Sequence, residues 1–295
     1  MFSSGTAACA VIHDRVFERM LRPAVAEVVE FGSPALRPLR PFLRHAWRQA
    51  PAVLSIGVRL AKRDLRRRYR ESALGYVWLL VPTVPMAVIW TYLRSRGVVD
   101  VDGVESYPVF ALAGLVLWQT FVDALTAPGA ALSAGRSAIA RTTVPLEALV
   151  VGALLEVLVG AAARSVVVAL AMAIFGIAPP LAAALVPVGV VGIALLGTLF
   201  GALLAPLSLL YGDVGRSVTL IASMWFFVTP VVYDVPSGGI LGLNPVAPLL
   251  QTTRTWLLGG ETCAGFAAVI AITLPGLLVV GLALRSVRPH LAAVA

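Results

Sequence analysis

The run from Ser165 to Gly212 holds 48 residues without one Asp, Glu, Lys or Arg. A helix needs about 20 mostly apolar residues to cross roughly 30 Å of hydrocarbon, so this run can cross twice. The Ala178-Pro179-Pro180 turn divides it, because proline cannot continue a helix. Charge-free runs at 72–93, 106–122, 217–233 and 262–284 are each at least 17 residues long. Composition agrees, with 59% hydrophobic residues, only 13% charged and a mean hydropathy of +0.91. A soluble domain would carry about a quarter charged residues. The expected fold is an all-α membrane protein with six transmembrane helices, at about 74–93, 107–125, 148–175, 181–210, 217–233 and 263–284.

Charge then sets the expected orientation. Fourteen of the 23 basic residues precede residue 74. With that side cytoplasmic, Arg136, Arg141, Arg216, Arg285 and Arg288 join them, while Asp100, Asp102, Glu105, Asp234 and Glu261 collect outside. The positive-inside bias therefore predicts cytoplasmic N- and C-termini in a cell membrane. Residues 1–50 read as a cytoplasmic tail, 51–73 as an amphipathic interfacial helix, 74–285 as the transmembrane domain and 286–295 as a second tail. The net charge of +8 is explained by orientation and does not call for nucleic acid.

In the interfacial segment, Leu54, Val58, Ala61, Leu65 and Tyr69 form an apolar stripe, and Arg59, Arg63, Arg66, Arg67 and Arg70 face away from it. Arg68 breaks the pattern by pointing towards the apolar side. Two readings stay open: a topology signal with a lipid-headgroup anchor, and a phosphate-binding role for part of the cluster.

Several chemistries are not supported. The GxxxxGK[ST] phosphate loop is missing, and Lys62 is the only lysine. His13, His45 and His290 all fall in expected tails, which leaves no metal constellation. Cys9 and Cys263 are expected on opposite membrane faces, without a disulfide. What needs explaining is charge inside or beside the spans. Asp123 and Glu147 read as interfacial, whereas Arg164 lies about 12 Å deeper than Glu156 along one helix. Arg164 either pairs inside a bundle or lines a hydrated path. Residues 238–260 are apolar but broken by Pro245, Pro248 and two Gly pairs, which suggests a re-entrant or interfacial hairpin, with a plain loop as the alternative.

The segment RDLRRRYRESALGYVWLLVP, Arg63 to Pro82, resembles the entry segment of membrane subunits of polysaccharide-exporting ABC transporters. That group includes O-antigen, teichoic-acid and actinobacterial galactan exporters. YPVFALAGLVLWQTF from Tyr107 is similar to the family's second span, and Tyr211, Asp213 and Val214 to its inner loop. FFVTPVVY, Phe226 to Tyr233, resembles the end of its fifth span, and Asn244, Pro245 and Arg254 its outer loop. The likeness runs in order over roughly residues 55–285, with Gly212 standing where a basic residue is common.

This resemblance implies a permease subunit without enzymatic activity, forming a homodimer with two copies of a separate ATPase subunit. The ATPase would bind ATP and Mg, and this chain would carry no cofactor or metal of its own. The cargo would be a polyprenyl-pyrophosphate-linked polysaccharide moved from the cytoplasmic to the outer face. Arg68 and Arg70 would attract the cargo headgroup, since Arg suits phosphate oxygens. Arg63, Arg66, Arg67, Arg136 and Arg141 would couple to the ATPase. Trp118, Phe226, Tyr233 and Arg164 are candidates for the glycan path, and Asn244, Pro245 and Arg254 for an outer gate. The expected partners are that ATPase, a second copy, the lipid-linked glycan and membrane lipids, but not nucleic acid. The alternatives are an ABC permease for a small hydrophobic drug or lipid, and, with few carboxylates to hold Mg, a membrane enzyme acting on polyprenyl phosphate.

Overall fold

The computed structural model describes residues 39–70, 83–98, 106–136, 144–233, 244–260 and 265–294. The tail before residue 39, the start of the first expected span, Arg141 and residues 234–243 lie outside the described residues. So do the side chains of Arg68 and Arg70, whose backbone is helical.

The described residues fold into α1 (Leu39–Arg70), α2 (Thr83–Ser95), α3 (Tyr107–Ala134), α4 (Leu146–Ile174), α5 (Val186–Leu210), α6 (Asp213–Val228), α7 (Val246–Leu258) and α8 (Gly265–Val294). A short 3₁₀ turn, Leu181–Leu185, leads into α5. Among the described residues, four stretches are long and apolar enough to cross a membrane: α3, α4, Leu181–Leu210 and Gly265–Val287.

Three helices end differently from the sequence expectation, α8 running ten residues past 284 to Val294. α3 runs nine residues past Leu125, through Pro128, to Ala134. A proline inside a membrane helix is tolerated when neighbouring helices cover the disturbed turn, and Pro128 is buried. α6 stops at Val228, five residues short of the expected 233. Pro230 has no N–H and disfavours helical geometry in the residue before it, so Thr229 is already extended. In the described part of the expected hairpin, the chain forms the single 13-residue helix α7, with Val246, Leu249 and Leu250 fully buried.

α3 is the central element, and its most extensive packing is with α5. Gly197 and Gly201 of α5 face Phe121, Ala124 and Leu125 of α3. A Cβ at Gly197 would sit 2.7 Å from the Phe121 carbonyl oxygen, and one at Gly201 would overlap the Leu125 carbonyl. Ala205 continues the four-residue spacing. Such small residues let backbones approach closely where lipid supplies no hydrophobic drive between helices.

α1 packs on α4 through the same device. The residues it buries are Val53, Gly57 and Ala61, and a Cβ at Gly57 would lie 2.7 Å from Val151 Cγ1. Leu54 and Val58, both in the expected apolar stripe, are 54% and 46% exposed, so the helix meets α4 through Gly57 and leaves that stripe open to its surroundings.

The first half of α1, the start of α4 and the last third of α8 are joined by one charged cluster. Arg285 Nε donates to Glu147 Oε1, and Arg285 Nη1 donates to Gln49 Oε1 at 3.4 Å. Both charged side chains are mostly buried, at 18% and 13% exposed. Charge-assisted hydrogen bonds are worth about 1.5–3 kcal/mol, against about 1 for neutral ones. Glu147→Gln, which keeps a hydrogen-bonding oxygen but removes the charge, is therefore expected to lower stability by about 1–2 kcal/mol. Thermal unfolding of the purified protein measures this, and an unchanged midpoint would remove the clasp from the account.

Candidate functional site: a polar face and an ion pair at membrane depth

From Val109 to Phe121, α3 is buried on every side except at Gln119. Beyond it Val122, Asp123, Thr126, Ala127, Ala130, Ala131, Ser133 and Ala134 are also open, and of these Asp123, Thr126, Ala130 and Ser133 line up with Gln119 at spacings of four and three residues. Four of these five residues are polar. A face turned to lipid would be apolar, so this one is built for contact with water or polar partners.

Asp123 is the charged member of the face. Its Oδ1 accepts from Gln119 Nε2 at 2.8 Å, one turn away on the same helix. Its Oδ2 accepts from Arg164 Nη2 of α4 at 2.6 Å. The Arg164 side chain is 3% exposed and that of Asp123 is 33% exposed. By helical rise, the pair sits roughly 15 Å from the nearest end of either helix, inside the thickness of hydrocarbon. Arg164 Nε is buried without a hydrogen-bond partner. The pair is thus asymmetric: a sealed cation holds an anion whose other side is open. The interfacial placement expected for Asp123 is replaced by this interhelical bond, and Arg164 takes the pairing role.

The aromatic candidates lie in a packed cluster beside α3. Trp118 is 6% exposed, and its rings meet Phe121 at 5.4 Å and Phe226 at 5.9 Å. Phe226 also meets Trp90 at 6.1 Å and Phe227 at 5.3 Å. Tyr233 is half-buried, and its hydroxyl donates to the Phe227 carbonyl at 2.7 Å.

The candidates for the outer gate form a second centre at the Tyr107 end of the bundle. Asn244 Nδ2 donates to Thr229 Oγ1 at 2.8 Å, and its Oδ1 accepts from the Val246 N–H at 3.1 Å, which starts α7. Pro245 occupies the N-cap of that helix. Arg254 is buried, and its Nη1 donates to the carbonyls of Pro230 and Val231 at 3.3 and 3.2 Å.

At the opposite end, Arg136 Nη2 donates to the Leu209 carbonyl in the last turn of α5. The Tyr211, Asp213 and Val214 motif opens α6. Tyr211 is exposed and the Asp213 carboxylate accepts from Arg216 at 3.2 Å in the open. On α1, Arg63 donates to Asp64 at 2.9 Å, and this hydrogen bond raises the Arg63 pKa above its ordinary value. Arg66 and Arg67 are exposed. The signal that sequence reasoning missed was the spacing of Gln119, Asp123, Thr126 and Ser133 on an otherwise apolar span, which is visible in the residues once the helix is extended to Ala134.

Several apolar spans around a charged pair at membrane depth define a multi-pass helical membrane protein with a polar interior face. No protein-family model matches the chain. It is 30% identical to the O-antigen export system permease protein RfbA of Myxococcus xanthus over 205 residues, covering 66% of this chain and 77% of that protein. Two proteins of the same description from Klebsiella pneumoniae are 24% and 25% identical over 231 and 232 residues, each match covering 76% of this chain and 88% of the relative. The chain belongs to the O-antigen-export family of polysaccharide-exporting ABC permeases.

Proposed function

We propose that this chain is the permease half of an ABC exporter that moves a polyprenyl-pyrophosphate-linked polysaccharide across the cell membrane, from the cytoplasmic to the outer face. It does so as a six-span subunit, paired with a second copy and powered by two copies of a separate ATPase subunit that bind ATP and Mg. The Arg136 end of the bundle faces the cytoplasm, together with both termini, and α7 forms an outer re-entrant element. The observation that carries this reading is the polar open face of α3, centred on Asp123. A path for a hydroxyl-rich cargo needs such a face through the membrane, whereas a small hydrophobic drug gains nothing from a half-open carboxylate there. Exposed apolar residues on α2 and α6, among them Val88, Ile89, Leu220, Ile221 and Met224, give a second copy or lipid a surface to cover. Arg66, Arg67 and the exposed Tyr211 and Asp213 face the ATPase, and Arg68 and Arg70 sit where the cargo pyrophosphate enters.

Co-purification with the ATPase encoded nearby, followed by ATP hydrolysis assays, tests the reading. The complex is expected to hydrolyse ATP faster with lipid-linked glycans, and the chain alone is expected to hydrolyse none. Stimulation by small hydrophobic drugs but by no lipid-linked glycan would replace the glycan with the drug.

A further inference from the structure

At the Arg136 end, the last turns of α3 and α5 and the first turns of α6 enclose a cavity of about 440 Å³. That volume lies in the range of small-molecule sites. It differs in chemistry from the groove between α1 and α4, which is mostly apolar with Lys62 and Arg66 at its edge. The cavity is lined by four side-chain hydroxyls, Thr126, Ser133, Ser208 and Thr219, by four glycines, by Arg136 and by the apolar Leu125, Ala130, Leu204 and Val218. Two of those glycines, Gly212 and Gly215, are not demanded by packing, since a Cβ at either meets no atom within 4 Å.

The hydroxyls are not equivalent to free ones. Thr126 donates to the Val122 carbonyl at 3.0 Å and Ser133 to the Ser208 carbonyl at 3.4 Å. Ser208 donates to the Leu204 carbonyl at 3.3 Å and Thr219 to the Gly215 carbonyl at 3.0 Å. A hydroxyl owns one hydrogen and two lone pairs. With all four hydrogens committed to backbone, what these groups offer a ligand is lone pairs. Asp123 lies outside the lining, three residues from Thr126 on the same open face. Arg136 is the one cationic group in the lining, and part of its guanidinium is already engaged at Leu209.

Four hydroxyl acceptors on a largely apolar wall suit a ligand with both O–H donors and apolar faces. A hydrocarbon chain leaves the lone pairs unmet, and an ionised phosphate could pair with Arg136 but gives the hydroxyls no donor. A saccharide ring carries several O–H groups and apolar C–H faces on a compact frame. We infer that this cavity is a saccharide subsite, in which ring hydroxyls of the cargo donate to Thr126, Ser133, Ser208 and Thr219 before the ring passes along α3 towards Asp123. The inference rests on the glycan-exporter reading and adds to it which chemical part of the cargo the permease itself recognises.

The test uses the purified permease–ATPase complex in nanodiscs and two kinds of probe. One is a short prenyl pyrophosphate bearing a disaccharide, drawn from a panel of common hexoses; the other is the same prenyl pyrophosphate without sugar. The wild-type complex is expected to bind at least one sugar-bearing probe roughly tenfold more tightly than the sugar-free probe, the increment of a few hydrogen bonds. Thr126→Val/Ser133→Ala/Thr219→Val is expected to lose that increment and bind the sugar-free probe as the wild type does. Thr219→Val alone, at an exposed position, is expected to lose about two- to threefold and serves if the triple variant is scarce. Equal binding of both probe kinds by the wild type across the panel overturns the subsite, and so does a folded triple variant that still discriminates. Failure of the exporter reading is seen separately, as ATP hydrolysis that no lipid-linked glycan stimulates, and it takes the subsite with it.

Discussion

Asp123→Ala is expected to remove most of the folded permease from the membrane fraction. The substitution leaves the Arg164 guanidinium, whose side chain is 3% exposed, buried without an anion. Breaking a buried pair from one side costs about 3–5 kcal/mol, a large share of the 5–15 kcal/mol that holds a typical protein folded. The converse change, Arg164→Met, is expected to cost less, because the Asp123 left behind is one-third open and still accepts from Gln119. Asp123→Leu/Arg164→Leu then separates structure from transport. Replacing both charges with apolar groups of similar size is often neutral or stabilising, so abundance is expected to recover. Glycan export is expected to stay lost, because the open face of α3 has lost its only carboxylate. Membrane-fraction abundance, thermal unfolding of the complex and cell-surface glycan are the three readouts. Full export by the double variant would reduce the pair to packing, and normal abundance of Asp123→Ala would remove the pair altogether.

The spans were legible because hydrocarbon imposes its thickness directly on the sequence: charge-free runs and proline breaks mark α4, α5 and the start of α8 to within a few residues. The partner of Arg164 was not legible. Glu156, the nearest acid on its own helix, lies about 80° off register, and the anion that does meet it is 41 positions away on α3. Which turn of α3 faces which turn of α4 is set by interhelical packing, and no local period reports it. The face of α1 that meets α4 escaped for a related reason. Hydrophobic periodicity places Leu54 and Val58 on a membrane-facing stripe, but it does not report that the helix approaches α4 through Gly57, because glycine has no weight in such a pattern. The aromatic positions were visible as residue types, yet their mutual packing around Trp118 depends on α6 lying against α3. The expected span to 233 ran through Pro230, where the proline ends α6, and the groups that satisfy the backbone after it come from α3 and α7 and could only be seen in three dimensions.

Arg254→Leu carries the second large effect. After the Thr229 N–H closes the last turn of α6, Pro230 to Tyr233 runs without helical hydrogen bonding, and Thr229, Val231 and Val232 are almost completely buried. Non-helical backbone at membrane depth survives only when protein or water satisfies its polar groups. Here Arg254 donates to the carbonyls of Pro230 and Val231, and the Tyr107 hydroxyl donates to that of Val232 at 2.9 Å. The Arg254 guanidinium also lies 3.7 Å from the centre of the Phe110 ring, an arrangement worth up to about 2 kcal/mol when desolvated. Close seating on α3 leaves no slack, for a Cβ at Gly114 would overlap the Val231 carbonyl. Leucine at 254 fills similar space but leaves two buried carbonyls unmet, at about 1–3 kcal/mol each, so a loss of about 3–5 kcal/mol is expected by thermal unfolding. Arg254→Lys keeps the charge but not the planar fork, and its loss is expected to fall between wild type and leucine. Tyr107→Phe removes one hydrogen bond and is expected to cost about 1 kcal/mol. A melting midpoint unchanged by Arg254→Leu would mean the turn is held by something other than these donors. Impaired export by Arg254→Lys at full abundance would show that the same arginine, besides stapling the turn, works in opening it.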